Sequence, residues 1–370
     1  MNVAAESSPS LNRVMLPIWS LALPALGLLV LASGLASLGT VGALAAGAVL
    51  IGCVIAAVHH AEVVAHRLGE PFGTLVLAVA VTVIEVSLIV SLMLSSPDQA
   101  ATLARDTVFA AVMLILNGIV GICLLVGAVR HHEQRFTLRG VSAALCVLAA
   151  MAVLSLVLPN YLSSGLGPAF SPSQLAFVAI ISLLLYATFV LVQTVRHRDY
   201  FLPQGDGALP ADAHAEPPTA TQTWIAFGFL LVALAAVVFL AKALAPQVEM
   251  TVAAAGLPLA FVGIVIAALV LAPESLAAVK AAQRNRLQTS LNLALGSALA
   301  TIGLTIPTVA VVSLALGWEL HLGLDPKAVV LLALSLFVAV ISLGTGRTTI
   351  LQGVVHLVIL ASYLFITVVP

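Results

Sequence analysis

Two glutamates lie inside long apolar runs of the sequence, where a carboxyl group can hold either a proton or a metal ion. Glu85 is the one ionisable residue in the stretch 72–94. Glu274 follows Pro273 in VLAPESLA. An ionised side chain at the centre of a bilayer costs roughly 2.5–3.5 kcal/mol on insertion scales. A carboxylate without a basic partner must therefore take up a proton or meet a cation from solution. Those two occupants alternate in a cation/proton exchanger.

The two glutamates have similar surroundings. TVIEVSL and APESLA each place the glutamate next to a serine and a leucine. The apolar run before each one opens with a Gly/Pro cluster, GEPFG at 69–73 and GLPLA at 256–260. Pro273 lacks a backbone N–H, so it leaves one carbonyl of its helix without a donor. We expect the two segments to form related halves of one cation site.

Small and polar residues after each glutamate are candidates to complete a coordination shell. LILNGIVGICLL (114–125) aligns with LALGSALATIGL (293–304), which pairs Asn117 with Gly296. The stretch 285–307 also carries a stripe at three- or four-residue steps or their sums: Asn285, Thr289, Asn292, Gly296 and Gly303. Such a stripe is equally typical of close packing between helices. The candidate supporting ligands are Thr82, Asn117, Pro273, Asn292 and Ser297.

The composition indicates the elements that must position these residues. The chain has 370 residues, of which 62% are hydrophobic and 8% charged, whereas soluble domains have about 25% charged residues. A span needs about 20 mostly apolar residues, and spans in lipid are helices or closed barrels. We therefore predict an all-α polytopic membrane protein. Eleven spans are expected near 15–35, 40–58, 72–95, 107–129, 140–159, 174–195, 223–244, 251–272, 287–316, 328–343 and 349–369.

The basic residues predict the orientation of these spans. With a cytoplasmic N-terminus, eleven of the 14 Lys and Arg residues fall on the cytoplasmic side. They are Arg13, Arg67, Arg130, Arg135, Arg139, Arg196, Arg198, Lys280, Arg284, Arg286 and Arg347. The other side receives Arg105, Lys242 and Lys327. This bias fits the positive-inside rule and predicts a plasma-membrane protein. Of the 15 acidic residues, all but Glu85 and Glu274 fall in predicted loops or tails.

The chain divides into two halves of opposite topology. The spans that carry Glu85 and Glu274 are five apart, so they cross the membrane in opposite directions. We predict an inverted 5+5 repeat with one extra helix before it, and repeat interfaces are where secondary transporters bind their substrates. The predicted segments are a tail and extra helix (1–36), the first repeat (37–196), an acidic Pro/Gly-rich cytoplasmic linker (197–222) and the second repeat (223–370).

Two stretches resemble a known family. HRLGEPFGTLVLAVAVTVIEVSLI (66–89) and APESLAAVKAAQRNRLQTSLNLALGSALATIGLTIP (272–307) are similar to the ChaA-type calcium/proton antiporters of the calcium/cation antiporter superfamily. The resemblance continues through 322–337 and 343–359. It implies ten core helices in two inverted repeats after one extra helix. It also implies that one acidic residue per repeat carries the exchange of calcium or a monovalent cation for protons, and these residues match Glu85 and Glu274.

One departure from the superfamily affects cation selectivity. Many members carry Gly-Asn-Ala just before each glutamate, where this chain has 81–83 (Val-Thr-Val) and 270–272 (Val-Leu-Ala). The loss of two amide ligands leaves room for sodium or potassium beside calcium. We expect the cation and protons to compete for the two glutamates during alternating access. The alternatives are a mainly monovalent sodium/potassium–proton antiporter and a cation channel, whose pores are also lined by acidic residues.

The sequence predicts neither an enzyme nor a resident cofactor. It has no HExxH motif and no Walker GxxxxGK[ST] pattern, so calcium, sodium or potassium and protons are cargo. The expected partners are these ions and the lipid bilayer, a homo-oligomer is compatible with the sequence, and nucleic acid is not expected. Two interpretations apply to each of four histidines. His59, His60 and His66 fit metal binding or proton sensing with Glu62, or a polar helix end. His356 fits a proton relay or a buried hydrogen-bonded ring.

Overall fold

The computed structural model describes residues 16–69, 72–95, 100–162, 167–202, 218–258 and 260–369. Three predicted features lie partly or wholly outside these ranges. They are the N-terminal tail with Arg13, residues 70–71 of the GEPFG cluster, and positions 203–217 of the linker.

The described residues form eleven long helices, as predicted. They are α1 (Ile18–Ser33), α2 (Gly39–Leu68), α3 (Phe72–Ser95), α4 (Ala101–His131), α5 (Leu138–Tyr161), α6 (Pro172–Arg196), α7 (Ala220–Ala254), α8 (Ala260–Gln283), α9 (Leu287–Leu316), α10 (Pro326–Leu343) and α11 (Ile350–Val368). Within the described ranges, nine of them are long and apolar enough to cross a membrane, and α1 and α3 contribute shorter apolar stretches. The protein is an all-α polytopic membrane protein.

Two helix boundaries in the second half differ from the prediction. Helix α7 does not end at 244 but continues through Pro246 to Ala254, which places Glu249 in a helix. A turn follows in which Gly256 has a φ of 68°, a conformation that glycine adopts without steric cost. Helix α8 then begins at Ala260 and ends at Gln283. Glu274 therefore lies well inside its helix and not near the end.

Two acidic residues expected near helix ends or in loops also lie inside helices. Helix α2 extends to Leu68 and includes Glu62, and α4 begins early enough to include Asp106. Both helices exceed the thickness of the hydrocarbon, because about 30 residues at 1.5 Å each span roughly 45 Å. Their polar ends therefore extend toward the interfaces.

The two halves interlock through equivalent helices. Helix α2, the first of its repeat, packs along α7, the first of the other. The last helix of each repeat packs on the third helix of the other repeat, α6 on α9 and α11 on α4. The glutamate helices do the same, with α3 against α9 and α8 against α4. Each glutamate therefore lies at the interface between the repeats.

Loops meet at both ends of the helix bundle. At one end β1 (Gln134–Arg135) pairs antiparallel with β2 (Arg347–Thr348). His131 Nε2 lies 2.9 Å from the carbonyl of Gln283 beside them. Most of the arginines predicted to be cytoplasmic are at this end, which we call the arginine-rich end. The loop 317–325 closes the opposite end.

Candidate functional site

Glu85 is buried at the contact between the two repeats. It lies in the middle of α3 and is 4% exposed. Its Oε2 accepts a hydrogen bond from Thr301 Oγ1 of α9 at 3.2 Å. Its Oε1 is buried and has no hydrogen-bond partner among the described residues. A buried acid with one oxygen unpaired is ready to accept a proton or a cation.

The segment of α9 that faces Glu85 is not a regular α-helix. Residues Thr301–Thr305 form a π turn, and such turns are frequent at functional sites. Residues four to five apart align along a π turn, so Thr305 lies on the same face as Thr301. Its hydroxyl is within electrostatic reach of the Glu85 carboxyl. It has no hydrogen bond in the part of the chain that the structure describes.

Glu274 lies near Glu85 on the other repeat. It is half-buried in α8, and its Oε2 is buried without a partner inside the described ranges. Its helix α8 packs against α3, and the charge of Glu274 acts weakly on Glu85. Glu274 also interacts electrostatically with Glu62 of α2, which is exposed. The three carboxyl groups therefore form a series from a buried acid to an exposed one.

This series leads to the arginine-rich end. Counted along their helices at 1.5 Å per residue, Glu62, Glu274 and Glu85 lie about 9, 14 and 20 Å from the helix ends on that side. Arg67, near the end of α2, donates a hydrogen bond to the carbonyl of Pro218 at 3.2 Å, which places this helix end beside the linker. The exposed end of the series thus faces the side predicted to be cytoplasmic.

The opposite end is closed by hydrogen bonds from the loop 317–325. Arg105 donates to Gly323 O at 3.0 Å and to Asp106 Oδ1 at 2.8 Å. Leu324 is held on both sides of its peptide group, since its N–H donates to Leu156 O at 2.9 Å and its carbonyl accepts from Asn160 Nδ2 at 2.6 Å. The loop therefore ties the start of α4 to the end of α5. The half-buried Glu274 and the exposed Glu62 thus lie on the arginine-rich side of Glu85, and the loop 317–325 covers the opposite end of the bundle.

Three of the predicted supporting residues lie beside the glutamates. Thr82 is buried one helical turn before Glu85, and Pro273 precedes Glu274 within α8. Ser297 is half-buried on α9, four residues before Thr301 and hence on the same face. These three remain candidate ligands.

Two predicted supporting residues are engaged elsewhere. Asn292 Nδ2 donates to the carbonyl of Phe201 at 2.6 Å, and its Oδ1 accepts from Gln288 at 2.8 Å. It lies nine residues before Thr301, about 14 Å along the helix. Asn117 donates to Ser335 Oγ at 2.8 Å. The amide of Asn292 therefore holds the start of the linker, and that of Asn117 joins α4 to α10.

Besides Asn292, two members of the predicted stripe on 285–307 serve a turn and helix packing. Asn285 lies before α9 in a turn with a φ of 57°. A Cβ at Gly303 would lie 2.5 Å from Tyr186 Cβ, so this glycine permits the close approach of α6. The sequence reasoning missed Thr301 and Thr305, although the four-residue steps of Ser297, Thr301 and Thr305 are visible in the sequence.

The alignment of Asn117 with Gly296 is also shifted. Helix α4 contains its own π segment, Leu114–Ile119, at a depth that corresponds to Thr301–Thr305 in α9. This correspondence pairs Asn117 with the threonines that face Glu85. Gly296 lies a full turn or more before them.

The histidines have distinct surroundings. His60 Nε2 lies 2.8 Å from Ser20 O of α1, and its ring is 5.8 Å from that of His59. His66 is exposed near the end of α2. His356 is buried, with ring contacts to Asn117 and Ser342. Within the described ranges, no cluster of three or more His, Cys, Asp or Glu side chains is arranged to hold a metal ion.

The geometry therefore offers two acids and hydroxyl groups to a transported ion. Two carboxylates can neutralise one divalent cation, and calcium accepts oxygen ligands from carboxylates, hydroxyls and water in a flexible arrangement. In the absence of a cation, burial favours the protonated carboxyl groups. The same atoms can therefore serve a cation and protons in turn.

The comparisons with known proteins cover nearly all of this architecture. The family described as "Sodium/calcium exchanger protein" matches residues 38–195 and 225–369. The matched residues contain α2–α6 and almost all of α7–α11, and they leave out α1 and the linker.

Three relatives are similar over most of their length. The "Putative ionic transporter y4hA" of Sinorhizobium fredii is 50% identical over 96% of this chain and 97% of its own. The "Sodium-potassium/proton antiporter ChaA" of Escherichia coli is 38% identical over 85% of both chains. A "Ca(2+)/H(+) antiporter" of Aphanothece halophytica is 24% identical over 73% of this chain and 76% of its own.

Two solved structures share the fold. "Crystal Structure of H+/Ca2+ Exchanger CAX" has a TM-score of 0.71 at 17% identity, covering 94% of this chain and 88% of its own. "Structure of native YfkE" has a TM-score of 0.69 at 18% identity, covering 93% of this chain and all of its own.

Proposed function

Because the chain belongs to the sodium/calcium exchanger protein family and is a multi-pass secondary cation/proton antiporter, not an enzyme, we propose that it exchanges calcium for protons across the plasma membrane. Sodium or potassium is the alternative cargo. Glu85 and Glu274 form one shared site, which the cation and protons occupy in turn during alternating access. The N-terminus and the arginine-rich end face the cytoplasm, because basic residues concentrate on that side.

One observation supports this mechanism above the others. Glu85 and Glu274 come from opposite repeats, on helices that pack against each other, and each has a buried oxygen without a partner among the described residues. When the site is open to the cytoplasm, a cation displaces protons from both carboxyl groups. When it is open to the other side, protons displace the cation. The exchange therefore needs no energy source besides the two gradients.

Two kinds of cation are candidates for the cargo, calcium and the monovalent ions sodium and potassium. A pair of carboxylates favours calcium, and the Aphanothece relative is named for calcium. The Escherichia coli relative, which is more similar to this chain, is named for sodium and potassium. A single carboxylate with hydroxyl ligands suffices for a monovalent ion, while the second carboxyl group keeps a proton. A cation channel is the remaining alternative, and it differs by passing current without moving protons.

The test is a proton-release assay in membrane vesicles from cells without their own cation/proton antiporters. Calcium, sodium and potassium are added in turn to vesicles that carry an imposed pH gradient. We expect cation-dependent proton movement in the wild-type protein and none in Glu85→Gln or Glu274→Gln. Glu319→Gln, whose side chain is 89% exposed, is the matched control and should transport normally. Normal exchange by Glu85→Gln would refute the shared site, and cation current without proton movement would establish a channel.

A further inference from the structure

A buried polar cluster joins three helices next to the Glu274 helix. It consists of Asn117 in α4, Ser335 and Ser342 in α10, and His356 in α11, all of which are buried. Asn117 lies in the π segment Leu114–Ile119, which packs against both α8 and α9. Each side chain in the cluster bonds to at least one other. The cluster therefore fixes the part of α4 that corresponds to the threonine segment facing Glu85.

The hydrogen bonds of the cluster show which group donates and which accepts, starting from Ser335. Ser335 has one proton, which it donates to Leu331 O at 2.7 Å. Its oxygen must therefore accept from Asn117, whose Nδ2 lies 2.8 Å away. This orients the Asn117 amide with Oδ1 toward His356 Nδ1, at 3.2 Å. Because a carbonyl oxygen only accepts, Nδ1 of the imidazole carries a proton.

The other ring nitrogen completes the series. Nε2 of His356 lies 2.8 Å from Ser342 Oγ. Both partners of the ring are neutral groups, so a buried imidazolium would have no counter-charge to offset its desolvation. A neutral ring protonated on Nδ1 leaves a lone pair on Nε2, which accepts the Ser342 proton. The cluster then satisfies both nitrogens of the ring without any titration.

We propose that His356 is a positioning residue for the antiport site: a neutral imidazole protonated on Nδ1 that holds the Asn117 amide and the π segment in place against the Glu274 helix. This arrangement does not support the proton-relay role for His356, because its Nδ1 proton points at the amide oxygen of Asn117, which accepts a hydrogen bond but does not take up a proton at neutral pH. The proposal rests on the proposed function for its effect on transport, but the state of the ring can be measured without transport. It predicts that a side chain with the same donor and acceptor can replace the ring.

The ring itself is tested first, with 15N-histidine NMR on the purified full-length protein at neutral pH. Comparison of wild type with His356→Gln identifies the signals of His356. We expect one protonated and one unprotonated nitrogen, with the proton on Nδ1. An imidazolium or the Nε2–H form would overturn the proposal. This result does not depend on whether the protein exchanges cations, so it separates failure of this inference from failure of the proposed function.

Transport by two variants tests the positioning role. His356→Leu removes both hydrogen bonds, whereas the amide of His356→Gln can donate to Asn117 and accept from Ser342. We expect the leucine variant to raise the half-saturating cation concentration about 10-fold, as loss of a ligand's supporting bond often does. In the glutamine variant the half-saturating cation concentration should stay within about threefold of the wild-type value, because the amide replaces both hydrogen bonds of the ring. Its pH profile should match that of the wild type. His131→Leu, at the arginine-rich end, is the control for loss of a histidine. The proposal would be overturned if both His356 variants were equally impaired, or if His356→Leu transported like the wild type.

Discussion

Thr301 of the second repeat donates its hydroxyl proton to Oε2 of Glu85 in the first repeat, across 3.2 Å. The bond crosses the interface between the halves, so it forms only while α3 and α9 keep their present distance. A hydroxyl group both donates and accepts. It can stabilise the ionised carboxylate and can also turn its lone pair toward a bound cation. Thr301 thus couples the occupancy of the site to the contact between the repeats.

Removal of the Thr301 hydroxyl should weaken cation binding. In Thr301→Val the side chain keeps its shape, but the ionised form of Glu85 loses a donor and one oxygen ligand is gone. A hydrogen bond to a charged group contributes about 1.5–3 kcal/mol, so we expect the half-saturating cation concentration to rise at least about 10-fold. Thr301→Ser should retain most of the affinity. The measurement is cation-dependent proton movement in vesicles at varied cation concentration.

A threonine on the exposed face of the same helix provides the control. Thr308 donates to its own helix, at Leu304 O, and is exposed. Thr308→Val should therefore transport like the wild type. If Thr301→Val also does so, the hydroxyl has no part in the site.

The positions of the helices and of both glutamates follow from the sequence, whereas the ligands in α9 do not. Long apolar runs have few alternatives in a membrane, and a carboxyl group within one is conspicuous. The polar pattern indicates the stripe with Asn292 and Gly303 either as ligands, because amide and hydroxyl oxygens can coordinate a cation, or as a packing surface. In the structure that face packs against α6 and the linker, and the threonine face meets Glu85. Which face of an apolar helix meets its neighbour depends on tertiary packing, which the polar pattern alone did not indicate.

The helix boundaries also depend on tertiary packing that the sequence pattern does not indicate. The predicted span ends at 244, yet α7 continues through Pro246 and for about two turns beyond it. The turn at Gly256 was visible as the GLPLA cluster, and it marks the start of α8 better than the apolar run does. The bonds of His356 to side chains on two other helices could not be read from one sequence, because they join residues more than 200 positions apart in the case of Asn117.

The pH dependence of transport should show direct competition at the shared site. Protons bound to Glu85 and Glu274 must leave before the cation binds, so the half-saturating cation concentration rises as the pH falls. The rise is at most about tenfold per pH unit for each competing proton. We expect a saturating cation concentration to restore transport at acidic pH. The measurement is the initial rate of cation uptake in vesicles with equal pH on both sides. A half-saturating concentration that does not change with pH would contradict competition.

Glu62 should raise the local cation concentration without being part of the exchange. It is exposed and acts electrostatically on Glu274 from the arginine-rich side. In Glu62→Gln we expect the rate at low cation concentration to fall about threefold and the maximal rate to persist, as for loss of one steering charge. The defect should shrink when a non-transported salt screens the charge. Glu133→Gln is the control, because Glu133 is at the same end but paired with Arg347 at 3.3 Å. Loss of coupled exchange at saturating cation would instead place Glu62 within the site.

Arg105 should hold the end opposite the arginine-rich end closed. Its guanidinium joins the loop 317–325 to α4 through Gly323 O, beside a small cavity lined by Lys327 and Thr367. In Arg105→Gln the loop loses this bond, so the population with that end open should increase. A cysteine at Thr367, in a background without the three native cysteines, reports the opening by its rate of reaction with a membrane-impermeant maleimide. We expect the rate to rise about tenfold, which corresponds to about 1.4 kcal/mol. Lys327→Gln, on the same cavity wall, should leave the rate nearly unchanged. If both variants react alike, the loss of a positive charge explains the effect, and the bond from Arg105 to the loop does not control the closed end.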